Sequence, residues 1–299
     1  MTHATAPFSQ ATRGMMLGFV GVAAFSLTLP FTRYLVQFVD PFLVSWARSV
    51  LAGFVALVVL VLSSQRRPNR QELTGLVLAI IGIVLGWPTL SSISMKYAPA
   101  AHGAVINGLL PIATATIGAL LARQRLTLAF WAFALLGAGL VFAFMLWEGA
   151  GSLQPGDAVM LCAVVMGGLG YASGAGVAKT LGGWQTICWA LVLALPLTSI
   201  LTLGAFWANP VSVASLPSTA WLAFAYLGLI SQLAGFFAWY AGLAMGGVAL
   251  VSQVQLLQML MTVAASSLIA LDPVPGRTWV FAAAIMLVLV GLRRVKIVR

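Results

Sequence analysis

The sequence predicts an all-α integral membrane protein with ten transmembrane helices, arranged as two inverted-topology repeats of five helices. Of its 299 residues, 62% are hydrophobic and only 7% are charged, whereas soluble domains carry roughly 25% charged residues. The apolar runs are continuous, whereas the strands of a membrane barrel alternate over segments of about 10 residues. The polar breaks of the first half recur in the second. Lipid is therefore the solvent that this composition requires.

The positions of the polar breaks define the ten spans. A helix needs about 20 apolar residues to cross the hydrocarbon core. The predicted spans are 14–37, 41–62, 73–95, 99–121, 127–147, 156–179, 184–207, 217–243, 247–271 and 275–293. The run after Arg13 is interpreted as a span, because it is too long for a signal peptide and lacks a small-residue cleavage site. Four prolines are expected to interrupt their spans: Pro30, Pro88, Pro111 and Pro196.

The lysine and arginine residues indicate the orientation of the spans, since they favour cytoplasmic loops. With a cytoplasmic N-terminus, the cytoplasmic segments hold 11 of them and the outer segments hold three, so both termini are predicted to be cytoplasmic. The net charge of +10 is therefore interpreted as an orientation signal, and no nucleic-acid partner is expected. The predicted segments are a cytoplasmic tail (1–13), a first repeat (14–147), a periplasmic loop (148–155), a second repeat (156–293) and a basic cytoplasmic tail (294–299).

A shift of 148 positions brings the two halves into register. The stretch KYAPAAHGAVINGLLPIATATIGALLARQRLTLAFW then lies over AMGGVALVSQVQLLQMLMTVAASSLIALDPVPGRTW, and the polar breaks agree along it. Asn107 falls on Gln255, and Thr114 falls on Thr262. Because each half has an odd number of spans, the second half must be inverted in the membrane. Inverted repeats of this kind place a transporter's binding site between the halves.

These repeats resemble the drug/metabolite transporter superfamily, and in particular its EamA-like ten-helix members. The resemblance rests on Ala98-Pro99-Ala100-Ala101, on Pro111 and on the turn Arg123-Gln124-Arg125-Leu126-Thr127. The chain departs from the family pattern at Gln124, where a glutamate is usual, and at Met259, which stands where the second proline would be. The aromatic content is most similar to that of the aromatic amino acid exporter branch.

The resemblance implies a function. It implies that the chain exports aromatic and other neutral amino acids across a bacterial inner membrane, by alternating access and as a facilitator. The alternative is export of another small metabolite or drug, with or without a coupled proton.

Polar residues follow one face of the fourth and ninth spans, at helical spacings of three and four. The fourth span carries Asn107, and the ninth carries Gln255 and Gln258. An amide that faces lipid without a partner is costly. The two faces therefore line a central cavity, or they hold neighbouring helices together. We favour the cavity for the symmetric pair Asn107 and Gln255, and we predict that all three amides bind substrate.

The eighth span carries a face that is both polar and aromatic. It contains Gln232, Trp239 and Tyr240, and the same shift relates it to Trp87 and Ser91 in the third span. Aromatic rings with a few polar groups suit an aromatic or apolar amino acid, so these five residues are predicted to bind substrate. The alternative is that the tryptophans and the tyrosine belong to an interfacial aromatic belt.

Two ionisable residues are candidates for a further role. Arg48 is the one formal charge well inside a predicted span. It could bind a substrate carboxylate, or its long side chain could reach the outer headgroups. His102 lies in the first turn of the fourth span. It could carry a proton, or it could simply be capped or solvated at a helix end.

Other functional classes lack the residues that they need. An intramembrane enzyme could use Ser173 with His102, but the sequence offers no paired carboxylates and no metal-ligand cluster. No ring of charges or carbonyl filter typical of a channel is visible, and a scaffold would give the inverted repeat no purpose. We expect no enzyme activity, no cofactor and no metal. The expected partners are a small-molecule substrate and membrane lipid, and the chain is expected to act as a monomer.

Overall fold

A computed structural model describes residues 9–148, 154–212, 215–269 and 274–292, and the regular secondary structure of these residues is helical. The helices are labelled by span: α1 (Gln10–Leu35), α2 (Pro41–Leu62), α3 (Arg70–Tyr97), α4 (Ala100–Leu121), α5 (Leu128–Glu148), α6 (Pro155–Leu181), α7 (Gly183–Ala208), α8 (Ser218–Gly246), α9 (Ser252–Ile269) and α10 (Gly276–Leu292). A single turn, Val248–Val251, precedes α9.

The helices have the length and composition of membrane spans. Among the described residues, nine are long and apolar enough to cross a bilayer, and α10 contributes the shorter apolar segment Gly276–Val288. The predicted all-helical membrane fold is confirmed, and the predicted bounds differ from the observed ones by a few residues. The tails and the loop predicted at 148–155 lie largely outside the described residues.

Local sequence signals determine where several helices begin. Asp40 accepts a hydrogen bond from the Phe42 backbone N–H at 2.9 Å, directly before α2. Asn69 and Glu72 form a reciprocal capping box at the start of α3. Asp157 closes the start of α6 in the same way, since its Oδ2 accepts from the Gln154 backbone N–H at 2.9 Å. These caps satisfy N–H groups that have no partner within the helix.

Several spans contain an interruption near the middle. The helix of α1 breaks at Leu27, and that of α4 breaks just before Pro111. The segments Ile80–Gly86 of α3 and Tyr226–Ala234 of α8 are π-helical. A π segment directly before Pro88 is a known response to a missing backbone donor. The expectation for Pro196 was wrong, because α7 continues through it; packed membrane helices tolerate an internal proline.

The contacts between helices have equivalents when the two halves are interchanged. Helix α1 packs against α8 and α9, and α6 packs against their counterparts α3 and α4. Helix α2 packs against its own counterpart α7, as α5 does against α10. The two π segments also occupy equivalent positions. This correspondence is what two repeats around a central pseudo-twofold axis require.

Glycines bring the backbones of these helices into direct contact. A Cβ on Gly14 would lie 2.6 Å from the Gly246 nitrogen, where α1 meets α8. A Cβ on Gly82 would lie 2.6 Å from the Gly170 Cα, where α3 meets α6. Real Cβ atoms do not approach a backbone so closely, so these crossings exclude any larger residue. Small residues at such crossings are the usual means of close packing between membrane helices.

Gly170→Ala is expected to lower the free energy of unfolding by about 1–3 kcal/mol. The new Cβ would lie 2.8 Å from the Ile83 backbone nitrogen, which cannot move aside as a flexible side chain could. The matched control is Gly176→Ala in the same helix, where a Cβ meets nothing within 4 Å. Thermal unfolding of the purified protein in detergent measures both, and equal melting temperatures would contradict the crossing described above.

Candidate substrate site

A small cavity lies between the two halves, at the middle of the bundle. Its wall is formed by α1, α2 and α3 from the first half and by α6, α8 and α9 from the second. The lining residues are Phe25, Thr28, Arg48, Ile83, Trp87, Tyr171, Ser231, Gln232, Phe236 and Gln258. The cavity has a volume of about 10 Å³, which is close to the space that one water molecule needs. A larger ligand therefore requires the surrounding helices to separate.

The two π segments meet at this cavity. Gln232 in the π segment of α8 donates from Nε2 to the carbonyl of Ile83, in the π segment of α3, at 3.0 Å. The hydroxyl groups of Thr28 and Ser231 lie 2.7 Å apart and bridge α1 to α8. Short π segments inside α-helices occur frequently at functional sites. Here they expose backbone and side-chain polar groups to each other at the boundary between the halves.

The Arg48 guanidinium is enclosed in the protein at this point. The residue is 1% exposed, and its Cζ lies 5.8 Å from the centre of the Trp87 ring, within the range of a cation–π contact. Its Nε and Nη1 atoms have no hydrogen-bond partner among the described residues. The alternative in which Arg48 reaches the headgroups does not fit, because the side chain is buried against the cavity.

The described carboxylates lie near the ends of the bundle. Glu72 pairs with Arg66, and Asp157 pairs with His102. A cation buried without a carboxylate is expensive, and a bound carboxylate would remove that cost through charge-assisted hydrogen bonds. The Arg48 guanidinium therefore has the geometry and charge to bind an anionic group.

Asn107 acts on this site through Trp87. Its Oδ1 accepts a hydrogen bond from the Trp87 indole Nε1 at 3.3 Å. The amide does not line the cavity itself; it fixes the ring that lies beneath the guanidinium. The two amides of the predicted symmetric pair therefore differ in the structure. Asn107 has a hydrogen-bond partner, whereas both side-chain polar atoms of Gln255 lack one.

The remaining wall of the cavity is aromatic. Phe25 packs against Phe236 with a centroid separation of 4.8 Å, and Tyr171 packs against Trp239 at 5.2 Å. Trp239 and Tyr240 are fully buried behind this wall. The Tyr240 hydroxyl donates to the Gly170 carbonyl at 2.9 Å. These two predicted residues therefore support the wall from behind.

The predicted residues fall into two groups in the structure. Four of them line the cavity: Arg48, Trp87, Gln232 and Gln258. Asn107, Gln255, Trp239, Tyr240 and Ser91 do not line it, and the Ser91 hydroxyl donates to the Pro88 carbonyl in its own helix at 3.2 Å. Sequence reasoning missed Phe25, Thr28, Ile83, Tyr171 and Ser231, whereas Phe236 lies on the aromatic face that it indicated in the eighth span. Thr28 and Ser231 could have been found as hydroxyl residues at the centres of apolar spans.

A larger vestibule of about 850 Å³ opens near the basic end of the bundle, which is the end where Arg66, Arg70, Arg123 and Lys179 lie. Three helices contribute residues both to the vestibule and, deeper in the bundle, to the cavity: α3, α6 and α8. Gln255 lies between Leu250, which lines the vestibule, and Gln258, which lines the cavity. The vestibule and the cavity therefore follow one another along these helices, with the vestibule at the basic end.

The opposite end of the bundle is closed by polar contacts between helices. Arg33 of α1 donates to the Met95 carbonyl of α3 at 2.8 Å, and the Ser94 hydroxyl donates to the Gly156 carbonyl of α6 at 2.9 Å. His102 of α4 and Asp157 of α6 are both buried, with Nε2 and Oδ1 2.6 Å apart. This pair joins the two predicted halves.

Asp157 is a residue that the sequence analysis did not single out. The signal was its position after Gln154 and Pro155, which is typical of a capped helix start. The start of α6, which carries Asp157, and the start of α4, which carries His102, lie at the same end of the bundle, so the two side chains meet there.

The basic end carries its own polar network. Arg66 Nη2 lies 2.6 Å from Glu72 Oε1, and the Thr180 hydroxyl of α6 donates to the same oxygen at 2.8 Å. The hydrogen bonds to Glu72 raise the pKa of the Arg66 guanidinium above its usual value. This network ties the start of α3 to the end of α6 at the rim of the vestibule.

Comparisons with known proteins place this geometry in context. The model of the EamA-like transporter family matches residues 12–146 and residues 154–294. The uncharacterized transporter YdeK of Bacillus subtilis (strain 168) is 42% identical over 250 residues, which cover 84% of this chain and 86% of that protein. The uncharacterized transporter YyaM of the same organism is 27% identical over 240 residues, 77% of this chain and 76% of its own.

A solved crystal structure shares the fold. It has a TM-score of 0.69 at 19% identity, and the match covers 96% of this chain and 99% of that one. At this identity the likeness concerns the fold alone.

Arg48→Met is expected to raise the free energy of unfolding of the ligand-free protein by roughly 1–4 kcal/mol, because it removes a buried cation whose Nε and Nη1 have no hydrogen-bond partner and whose contact with Trp87 offsets only part of that cost. The matched control, Arg66→Met, is expected to lower it, because it leaves the buried Glu72 carboxylate without its partner. Thermal unfolding in detergent measures both. A loss of stability in Arg48→Met would mean that the guanidinium already has a partner.

His102→Leu is expected to destabilise the protein by about 3 kcal/mol, because it leaves the buried Asp157 Oδ1 without its partner while Oδ2 keeps the hydrogen bond from Gln154. A double-mutant cycle with Asp157→Leu separates this pair from the capping role of Asp157, and the coupling energy should exceed about 1 kcal/mol. Reversible unfolding in mixed micelles gives the four free energies. Additive effects of the two substitutions would show that the pair contributes nothing to stability.

Proposed function

Because this chain belongs to the EamA-like transporter family, we propose that it carries neutral amino acids, aromatic ones above all, across the membrane by alternating access. One observation carries the choice of substrate. It is the buried Arg48 guanidinium, unpaired at Nε and Nη1, above Trp87 in a cavity with an aromatic wall. The guanidinium is suited to a carboxylate, and the rings are suited to an apolar side chain.

The charge of the site argues against the alternative of a cationic drug. Arg48 would repel such a ligand, and none of the described residues that line the cavity carries a carboxylate to receive it. An amino acid zwitterion instead brings a carboxylate to the guanidinium without adding net charge to the bundle. Other small metabolites with a carboxylate and an apolar group would meet the same requirements. Amino acids are the members of this broader class that we propose as substrates.

The proposed transport cycle uses the relation between the halves. The vestibule leads towards the cavity from the basic end, while Arg33, Ser94 and the His102–Asp157 pair close the opposite end. Substrate entering from the basic end would separate the helices around the small cavity and bind Arg48. Release at the other end would require the closing contacts to break while the helices around the vestibule come together, as rocking of two repeats allows.

The proposed orientation rests on the charge distribution, whereas the proposed direction, export, rests on the family resemblance alone. We place the basic end in the cytoplasm, since lysine and arginine favour that side. Substrate then leaves the cell across the bacterial inner membrane, down its own gradient and through a monomer.

A second candidate is a transporter of the same kind that is coupled to a proton. The observation that favours it is the buried His102–Asp157 pair between α4 and α6. A histidine in contact with a carboxylate can pass on a proton, so opening of this end could be linked to proton transfer. A rate of release that depends on an imposed pH gradient would distinguish this mechanism from a facilitator.

Proteoliposomes loaded with labelled phenylalanine, tryptophan, threonine or methionine are expected to release them saturably, without any gradient other than that of the substrate. Arg48→Met should reduce this flux at least 10-fold, since it removes charge-assisted hydrogen bonds. Trp87→Ala should also reduce it. The matched control is Trp207→Ala, whose indole is 80% exposed on the surface of the bundle and which should transport normally.

Two results would contradict the proposal in different ways. If no amino acid is released, the substrate class is wrong, and other small carboxylates should be tested in the same vesicles. If amino acids are released equally by the wild type and by Arg48→Met, transport does not use the Arg48 cavity.

A further inference from the structure

The cavity wall leaves polar atoms without partners at two residues. Gln232 already donates to Ile83, and the hydroxyls of Thr28 and Ser231 are paired. On the same wall, the buried polar atoms without a described partner belong to Arg48 and Gln258. Arg48 offers donors only, and the unpaired atom of Gln258 is Oε1, an acceptor.

A ligand that satisfies both residues must itself have two poles. It needs acceptor atoms for Arg48 and a donor group for Gln258. Gln258 is 5% exposed and lies on α9, whereas Arg48 lies on α2, so the two groups approach the cavity from different halves. An α-amino acid carries both a carboxylate and an ammonium group at one end, and the aromatic wall remains for its side chain.

We propose that Gln258 Oε1 accepts a hydrogen bond from the α-ammonium group of the substrate, and thereby makes the site selective for α-amino acids over carboxylates of the same shape that lack the amine. This inference rests on the proposed function, since it requires a carboxylate on Arg48. It adds the residue that recognises the second pole.

An amide is chemically suited to this position. A carboxylate lining the same small cavity would pair with Arg48 and occupy its guanidinium. An amide oxygen accepts from an ammonium group and leaves the guanidinium free for the ligand. When a site is built to hydrogen-bond a substrate group, an analogue without that group leaves the buried partner unsatisfied and binds more weakly.

The test compares two ligands that differ only in the α-amine: L-phenylalanine and 3-phenylpropionate. Binding to the purified protein in detergent avoids diffusion of the protonated acid through lipid. The wild type should bind phenylalanine at least about 10-fold more tightly. In Gln258→Leu, and in Gln258→Met as a second variant, this ratio should fall to near one, with the affinity for 3-phenylpropionate unchanged.

The matched control is Gln255→Leu. Its amide is also buried and unpaired, but it does not line the cavity, so this variant should keep the wild-type ratio. Melting temperatures at or above that of the wild type would show that the Gln258 variants are folded.

The remaining outcomes separate the two proposals. If the wild type binds both ligands equally, or if Gln258→Leu weakens both by the same factor, Gln258 does not recognise the amine, while the carboxylate site on Arg48 stands. If the wild type binds neither ligand, the proposed function fails and this inference fails with it.

Discussion

The structure depends on the absence of water from the membrane interior, which forces each polar group there to find a partner within the protein. Most hydroxyl groups in the spans meet this requirement locally, as Thr114 does by donating to Leu110 in its own helix. Others join helices, as Thr262 does by donating to the Ser26 carbonyl of α1. Several buried side chains have a polar atom without a described partner, and among them Arg48 and Gln258 are the two that line the same cavity. Uncompensated polar groups lower stability, so their presence together is better explained by a ligand than by packing.

The spans could be predicted from the sequence because length and apolar composition decide them, and those properties need no knowledge of neighbours. The matches to the EamA-like family confirm the resemblance seen in the repeats. The contacts of individual side chains were harder to predict. Ser91 was expected at the site because the 148-residue shift places it opposite Trp239, yet its hydroxyl donates to the Pro88 carbonyl in its own helix. The His102–Asp157 pair could not be predicted, since its partners lie 55 residues apart and periodicity says nothing about which helix ends meet.

The two halves are related in packing but differ in the chemistry of the site. The 148-residue shift that relates Asn107 to Gln255 also relates Trp87 to Gly235. Asn107 has an indole N–H to accept from, whereas Gln255 has a glycine at the equivalent place, which gives a physical reason for its unpaired amide. A fully symmetric site would present the same groups to both ends of the bundle. The single tryptophan under Arg48 removes that symmetry and gives a bound ligand one preferred orientation.

The same tryptophan bears on how an empty carrier could return in the proposed cycle. A facilitator must return to its starting conformation without substrate. A guanidinium without any partner in a widened cavity that excludes water would raise the free energy of the intermediate states and slow this return. In the structure the cavity is reduced to about 10 Å³ and the guanidinium lies 5.8 Å from the Trp87 ring centre. A cation–π contact of this kind is worth about 2 kcal/mol or more when desolvated, which offsets part of the cost of the missing anion. In the proposed cycle, a substrate carboxylate would replace the weaker contact with the Trp87 ring. The empty carrier could then change conformation without a large energetic cost, and substrate binding would still be favourable. Asn107, by holding the ring in place, would control this balance without touching the substrate.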